Sequence, residues 1–228
     1  MMMLKILIFF FVAAQSLCHA DDLSISMLRT PEPIKYRMES SMAGGFLWMV
    51  SAARNSSMSE RLSDVLVRSN LRLNEELGGQ VSAILKTNGI AVTPVLAAIN
   101  PVKPWDVKYS KIGQGEPILH IYLEKVGIQS RPESSTYRPF AHVVYCLYLP
   151  AKTDDCAYGD RAYYGEGYKI EDYLVYPADE AYQWADQDDA MRRIDNVAEA
   201  LHKAIAKMAQ GIAAAIVANI EEAKISSK

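Results

Sequence analysis

The sequence predicts an α+β fold: a mostly antiparallel sheet, with a long C-terminal helix and an earlier helix packed on one face. Three observations predict it. Ile194, Val197, Leu201, Ile205, Met208, Ile212, Ile216 and Ile220 recur at three- and four-residue intervals, which is one apolar stripe on a single long helix. Residues 58–88 keep the same spacing through Leu62, Leu66, Leu73, Leu77, Val81 and Leu85. Residues 117–126 and 140–149 read instead as strands, and a helix stripe needs such a sheet to bury itself against.

The chain of 228 residues opens with three methionines, Leu4 and Lys5, then an apolar run over residues 6–14, then Cys18, His19 and Ala20 ahead of Asp21 and Asp22. A basic start, a short apolar core and a small residue at the cut predict a secretory signal peptide cleaved after Ala20. The run is too short to span a bilayer, which needs about 20 apolar residues. Lipidation at Cys18 is the competing reading, and Leu17, where such signals carry a small residue, speaks against it. Residues 21–228 are then expected to form one α+β domain. Loss of Lys5 takes the formal charge from −3 to −4, and a balance of that sign carries no basic patch for nucleic acid. Cys146 and Cys156 remain as an even pair in an oxidising compartment and are expected to form a disulfide, brought together by a hairpin turn centred on Ala151.

Residues 40–53 are apolar on nearly all sides but too short to cross a membrane, and read as a buried helical segment. Within them Phe46, Leu47, Trp48 and Met49 stand together as a candidate interaction surface; membrane docking is compatible with that group but is not predicted. Gly78 and Gly79 are expected to bend or break the helix over residues 58–88, because an interior glycine needs a packing or hinge reason. Asn88 and Gly89 make its stop, and a strand over residues 90–95 follows. Residues 97–116 read as a long connection. In the strand after it, Ile118, His120 and Tyr122 share one face and Leu119, Ile121 and Leu123 the other, so both faces are expected to be covered. A tyrosine-rich stretch and a strand over residues 173–176, ended by Pro177, lead to the final helix, whose start Asp186, Asp188 and Asp189 suit.

Motifs for chemistry are sparse. No serine lies in a Gly-x-Ser-x-Gly turn, residues 113–116 lack the lysine of a phosphate-binding loop, and no cofactor is implied. His120 and His142 fall in adjacent strands and come close only if the register allows; no third ligand is spaced to complete a metal site, so none is expected. Residues 154–189 hold seven of the thirteen tyrosines, Trp184 and eleven carboxylates. Glu166, Glu171, Asp172, Asp179 and Glu180 are the candidates if two of those acids hydrolyse a glycan or peptidoglycan. The structural alternative is that the tyrosines half-bury in strands while the acids serve turns and a helix start.

The succession of a helix over residues 71–88, Gly89 and a strand over residues 90–95 resembles the recurring "helix, Gly, short strand" unit of three groups. These are the TolB amino-terminal domain, curli-secretion lipoproteins and lipoprotein activators of peptidoglycan synthases. The strands around Ile121 and Val144 and the closing helix are similar in order. The resemblance implies a non-enzymatic module in the periplasm of a Gram-negative bacterium, or secreted from it, that acts through contacts with another envelope protein. It carries over no site residue. Many of those proteins are lipoproteins with a disordered tether, and this chain has no such linker.

Overall fold

The computed structural model describes residues 23–32, 34–40, 46–95, 99, 104–109, 112, 115–130, 136–150, 156–166 and 173–226. The predicted cleavage after Ala20 and the lipidation reading of Cys18 lie outside them.

Two short strands missing from the sequence reading come first, β1 (Ser24–Leu28) and β2 (Tyr36–Ser40). Helices α1 (Phe46–Arg68) and α2 (Leu73–Thr87) follow, then β3 (Ala91–Val95), β4 (Ile118–Ser130), β5 (Tyr137–Tyr148), β6 (Tyr158–Gly165) and β7 (Tyr173–Pro177). Helices α3 (Gln187–Arg192) and α4 (Ile194–Ser226) close the chain. The sheet runs β3-β1-β4-β5-β6-β7, with β2 also on β4.

This sheet is mixed, which corrects the expected mostly antiparallel one. Only β4 with β5 and β5 with β6 run antiparallel, while β1 with β3, β1 with β4, β2 with β4 and β6 with β7 are parallel. The reason lies in β1 and β2. After β1 the chain crosses over through α1 and α2 and returns beside it as β3, and such a helical crossover joins parallel neighbours. A reading that begins at residue 40 sees the hairpins and misses the partners that make the sheet mixed.

The two first strands share one edge of β4. β1 pairs with its start, Ser26 opposite Ile118, and β2 with its end, Tyr36 opposite Val126 and Ser40 opposite Ser130. Pro31, between them, has no N–H to give a ladder. Side chains serve the intervening stretch of β4: Thr30 Oγ1 donates to the Ile121 carbonyl at 2.9 Å, and Asn74 Oδ1 accepts the Leu123 N–H at 2.9 Å. At Gly127, with φ of +155°, any Cβ would collide with the backbone of Arg37, so β2 approaches β4 as it does only because that residue is glycine.

A free strand edge invites foreign pairing, and α1 covers the edge of β2. Met38 N–H donates to Ser59 Oγ at 2.8 Å, Tyr36 N–H to Ser63 Oγ at 3.3 Å, and Asn55 Nδ2 donates to the Ser40 carbonyl at 3.3 Å. Asn55, Ser59 and Ser63 recur every four residues, which puts them on one helix face.

The helix expected over residues 58–88 is two helices, and the break is not at the glycines. It falls at residues 69–72, where Asn70 takes φ of +58°. Gly78 and Gly79 lie inside an unbroken α2. The stop at Asn88 and Gly89 is as expected: Gly89 takes φ of +76°, and the Ile90 N–H reaches back to the Leu85 carbonyl at 3.0 Å. The apolar segment expected over residues 40–53 as one buried helix is divided, since Ser40 ends β2 and α1 begins at Phe46, with Ala52 and Ala53 exposed.

The C-terminal stripe behaves as read. Val197, Leu201, Ile205, Met208 and Ile212 are fully buried, and α4 packs on β5, β6, β7 and α2. Each such side chain contributes roughly 1.5–3 kcal/mol on burial. Asp186 caps the preceding α3, accepting the Asp189 N–H at 2.7 Å, while Asp189 accepts the Ala185 N–H at 3.1 Å. Both faces of β4 are covered: Leu119, Ile121 and Leu123 join the main core, and Ile118 packs with Leu28 and Ile99 on the other side. From the expected connection over residues 97–116, Ile99, Val107, Tyr109 and Ile112 supply cover for the sheet face away from the helices.

Candidate functional site

A cleft of about 800 Å³ opens where the sheet edge is interrupted, between α2 and the β1–β3 pair. Its apolar walls come from Met27, Val92 and Ile121 of the core and Leu28 and Ile99 of the other cluster, and polar side chains, among them Thr30, Glu32, Asn74 and Ser82, share the lining. Its volume is in the range that holds a small organic ligand.

Glu32 lies at the rim and shapes it. Arg72, the N-cap of α2, makes no side-chain cap, and the carboxylate of Glu32 takes that place from across the chain. Its Oε1 accepts the Asn74 N–H at 2.7 Å and the Glu75 N–H at 3.4 Å, and its Oε2 accepts the Ile34 N–H at 3.2 Å. Burial pushes its carboxyl above the ordinary range against the pull of those three bonds, and the charge of Glu75 adds to the rise. Glu75, the cleft's other acid, pairs with Arg72 at 3.0 Å.

Asn74 carries the unmet donor of the site. The residue is 7 % exposed; with Oδ1 on the Leu123 N–H, its Nδ2 has no hydrogen-bond partner. Such a buried donor costs about 1–3 kcal/mol unless something accepts from it. At the mouth, Arg29 and Lys86 are exposed, and neither side chain enters an ion pair among the described residues.

Gly78 and Gly79 also line the cleft. Each costs a helix interior about 1 kcal/mol relative to alanine. Packing does not require them: a Cβ on Gly79 would meet nothing within 4 Å, and one on Gly78 would make an ordinary contact of 3.7 Å with Met27 Sδ. They do not break the helix either, since α2 is continuous through both. What they do is leave the cleft wall bare of side chains.

The residues singled out from the sequence fall elsewhere. Cys146 and Cys156 form a disulfide with their Cα atoms 5.7 Å apart. The register of β5 with β6 pairs Cys146 with Gly159, so Cys156 precedes β6, and the turn expected at Ala151 lies outside the described residues. A Cβ on Gly159 would collide with Cys156 Sγ and with the backbone of Tyr145, so the bridge needs glycine there. Phe46, Leu47, Trp48 and Met49 begin α1; their side chains lie outside the described residues.

His120 and His142 do not meet. His120 is opposite Cys146, four residues along β5 from His142, a distance of about 13 Å. His120 is 2 % exposed; its Nδ1 is 2.8 Å from the Tyr109 hydroxyl, its Nε2 has no partner, and burial pushes its imidazole down to about 4. His142 packs edge-on against Tyr163 and Phe140, and burial, then the charges of Lys125, Arg161 and Arg37, bring it also to about 4. Among the described residues no group of three His, Cys, Asp or Glu side chains is placed to hold a metal.

Most acids of residues 154–189 that are described serve structure. Glu166 forms an ion pair with Arg138, Asp179 accepts the Ala181 N–H at 3.0 Å, and Asp186 and Asp189 cap α3. Glu180 is exposed, and Glu171 and Asp172 lie outside the described residues. The tyrosines go deeper than the expected half-burial: Tyr158, Tyr173 and Tyr176 are half-buried, but Tyr163 and Tyr164, on opposite faces of β6, and Tyr182 are buried in full.

Sequence reasoning missed the cleft. Its one signal was the glycine pair, read as a hinge. Arg29, Thr30, Glu32 and Asn74 carry no motif, because they are joined only through the crossover.

Fold and cleft together define a mixed-sheet α+β protein with helices on one face and a recess of mixed apolar and polar lining at a broken sheet edge. No family model and no curated protein matches the sequence. Among solved structures, it is similar to lipoprotein GNA1162 from Neisseria meningitidis, at 14 % identity and a TM-score of 0.29, over 62 % of this chain and 81 % of that one. It is also similar to a hemagglutinin homolog from Helicobacter pylori, at 13 % identity and a TM-score of 0.29, over 83 % of this chain and 85 % of that one. Among the described residues no helix is long and apolar enough to cross a membrane.

Proposed function

We propose that this protein is a non-enzymatic component of the bacterial envelope, periplasmic or secreted, that acts by binding an envelope protein. One observation carries the reading. Among the described residues, the acids at the cleft and Glu166, Asp179, Asp186 and Asp189 are spent on main-chain N–H groups and arginines, while the cleft keeps an unmet donor and two unpaired cations. A recess so arranged holds a ligand better than it moves protons. The signal-like start and the disulfide agree with an oxidising compartment outside the cytoplasm. The order of elements from α2 to α4 supports the likeness to the TolB amino-terminal domain and the related lipoproteins. Phe46, Leu47, Trp48 and Met49 are the candidate contact surface for the partner.

Cross-linking and affinity capture of the tagged protein from its own envelope fraction test this. One partner is expected to be enriched, and enrichment is expected to fall when Phe46 and Trp48 are both replaced by alanine. Recovery of nothing above background, or release of soluble fragments from peptidoglycan by the purified protein, would overturn the reading and favour the hydrolase.

A further inference from the structure

We propose that the open part of the sheet face away from the helices, around Lys125 and Arg161, docks a short acidic segment of a partner protein. This deepens the binding reading above, rests on it, and supplies the chemistry of the partner. Register places the patch. Lys125, His142, Tyr163 and Val175 lie opposite one another across β4, β5, β6 and β7 in one row, and Tyr122, Val144, Arg161 and Tyr173 form the next. Residues directly opposite share a face, and the neighbours Val143 and Ala162 belong to the helix-side core, so both rows point away from it. Val107, Tyr109 and Ile112 pack on Leu28, Ile118 and Tyr148, toward β1 on that face. Lys125, His142, Val144 and Tyr173 are left half-buried, with Glu124, Arg161 and Val175 exposed.

Charge decides the partner. The charges that act on His142 are those of Lys125, Arg161 and Arg37, all of them cations. Arg37 is held by Glu39 at 3.4 Å; neither Lys125 nor Arg161 enters an ion pair among the described residues. Tyr173 steadies Arg161, whose Nη1 donates to its hydroxyl at 2.6 Å and whose guanidinium lies 5.8 Å from its ring centroid, contacts that leave the charge free. Glu124, in the bulge of β4, acts on Arg161 without pairing with it, so among the described residues two free cations face one free acid. The local balance is positive on a chain whose formal charge is −3, and an acidic segment gains here what the chain as a whole denies it. Two strand spacings and one row separate Lys125 from Arg161, about 12 Å at the backbone, which an extended segment spans in about four residues. Size excludes a second copy of this chain: two rows across four strands, about 14 Å wide, are a fraction of the roughly 800 Å² per partner of a standard interface. A lipid surface is the poorer match, since Val175 is the one exposed large hydrophobic of the patch among the described residues, and an interfacial anchor needs larger ones.

Fluorescence anisotropy with a labelled ten-residue peptide alternating glutamate and threonine tests the assignment, with a peptide alternating glutamine and threonine as comparator. The acidic peptide is expected to bind saturably, and the neutral one at least ten-fold more weakly. Lys125→Gln combined with Arg161→Gln should cut affinity for the acidic peptide at least ten-fold. Arg61→Gln combined with Arg68→Gln removes the same charge from exposed positions of α1 and should change it less than two-fold. If the first pair lowers the Tm, Lys125→Gln alone, which leaves the contact of Arg161 with Tyr173 intact, should still weaken binding at least three-fold. Absence of saturable binding, equal affinity for the neutral peptide, or an equal loss in both double variants would overturn the site. Binding to vesicles of phosphatidylglycerol with no response to the acidic peptide would overturn the partner class. Undiminished capture of the envelope partner by the protein carrying Lys125→Gln and Arg161→Gln would sink this inference and leave the proposed function standing.

Discussion

His120 makes the fold sensitive to acid, by an amount that follows from its burial. In the unfolded chain its imidazole titrates near the ordinary 6.5; in the fold, burial alone brings it to about 4. Between those values the unfolded chain binds the proton and the folded one does not, so stability is complete above 6.5 and falls as the pH drops towards 4. Between pH 7 and pH 4.5 the loss from this one group is about 2 kcal/mol. With a urea dependence of about 2 kcal/mol per molar, the unfolding midpoint should move by about 1 M. His142 and the carboxylates add their own pH dependence, so the reading is a difference: urea midpoints of wild type and His120→Gln, each at pH 7 and pH 4.5. The wild type should lose about 1 M more than the variant. Midpoints that fall in parallel would refute the claim that the buried, half-bonded imidazole of His120 stays neutral in the fold.

Three further outcomes follow from the packing. Replacing Cys146 and Cys156 with serine should cost about 2.7 kcal/mol in urea unfolding, the loop-closure value for the sequence separation of 10, and a reducing agent should cost wild type the same. Leu201→Ala, in the fully buried part of the α4 stripe, should cost about 2–5 kcal/mol, read as a lowered Tm; a cost below about 1 kcal/mol would mean that α4 does not rest on the sheet as described. Glu32→Ala should cost about 1–2 kcal/mol and speed amide hydrogen exchange at Asn74 and Glu75 more than in α4, because it uncaps only α2.

Helices were legible where one residue period ran long. The α4 stripe could be read because its eight apolar positions repeat over a segment whose neighbours do not matter to the pattern. The stop at Gly89 and the disulfide were likewise local, one set by backbone conformation and the other by two cysteines a turn apart. The break in the first helix was misplaced because two glycines look like a weaker helix than the Ser69, Asn70, Leu71 and Arg72 that do interrupt it. Packing against β3, β4 and α4 carries α2 through its glycines.

The sequence by itself determined the periodic elements, the expectation of export and the bridge between Cys146 and Cys156. Only the tertiary structure decided that the sheet is mixed, since strand direction depends on which segments meet, and β1 meets β3 and β4 across 60 or more positions of chain. It alone decided the cleft. Thr30, Glu32 and Asn74 each answer a hydrogen-bonding group that belongs to a distant segment, and that demand is set by the fold, not by anything adjacent in the chain.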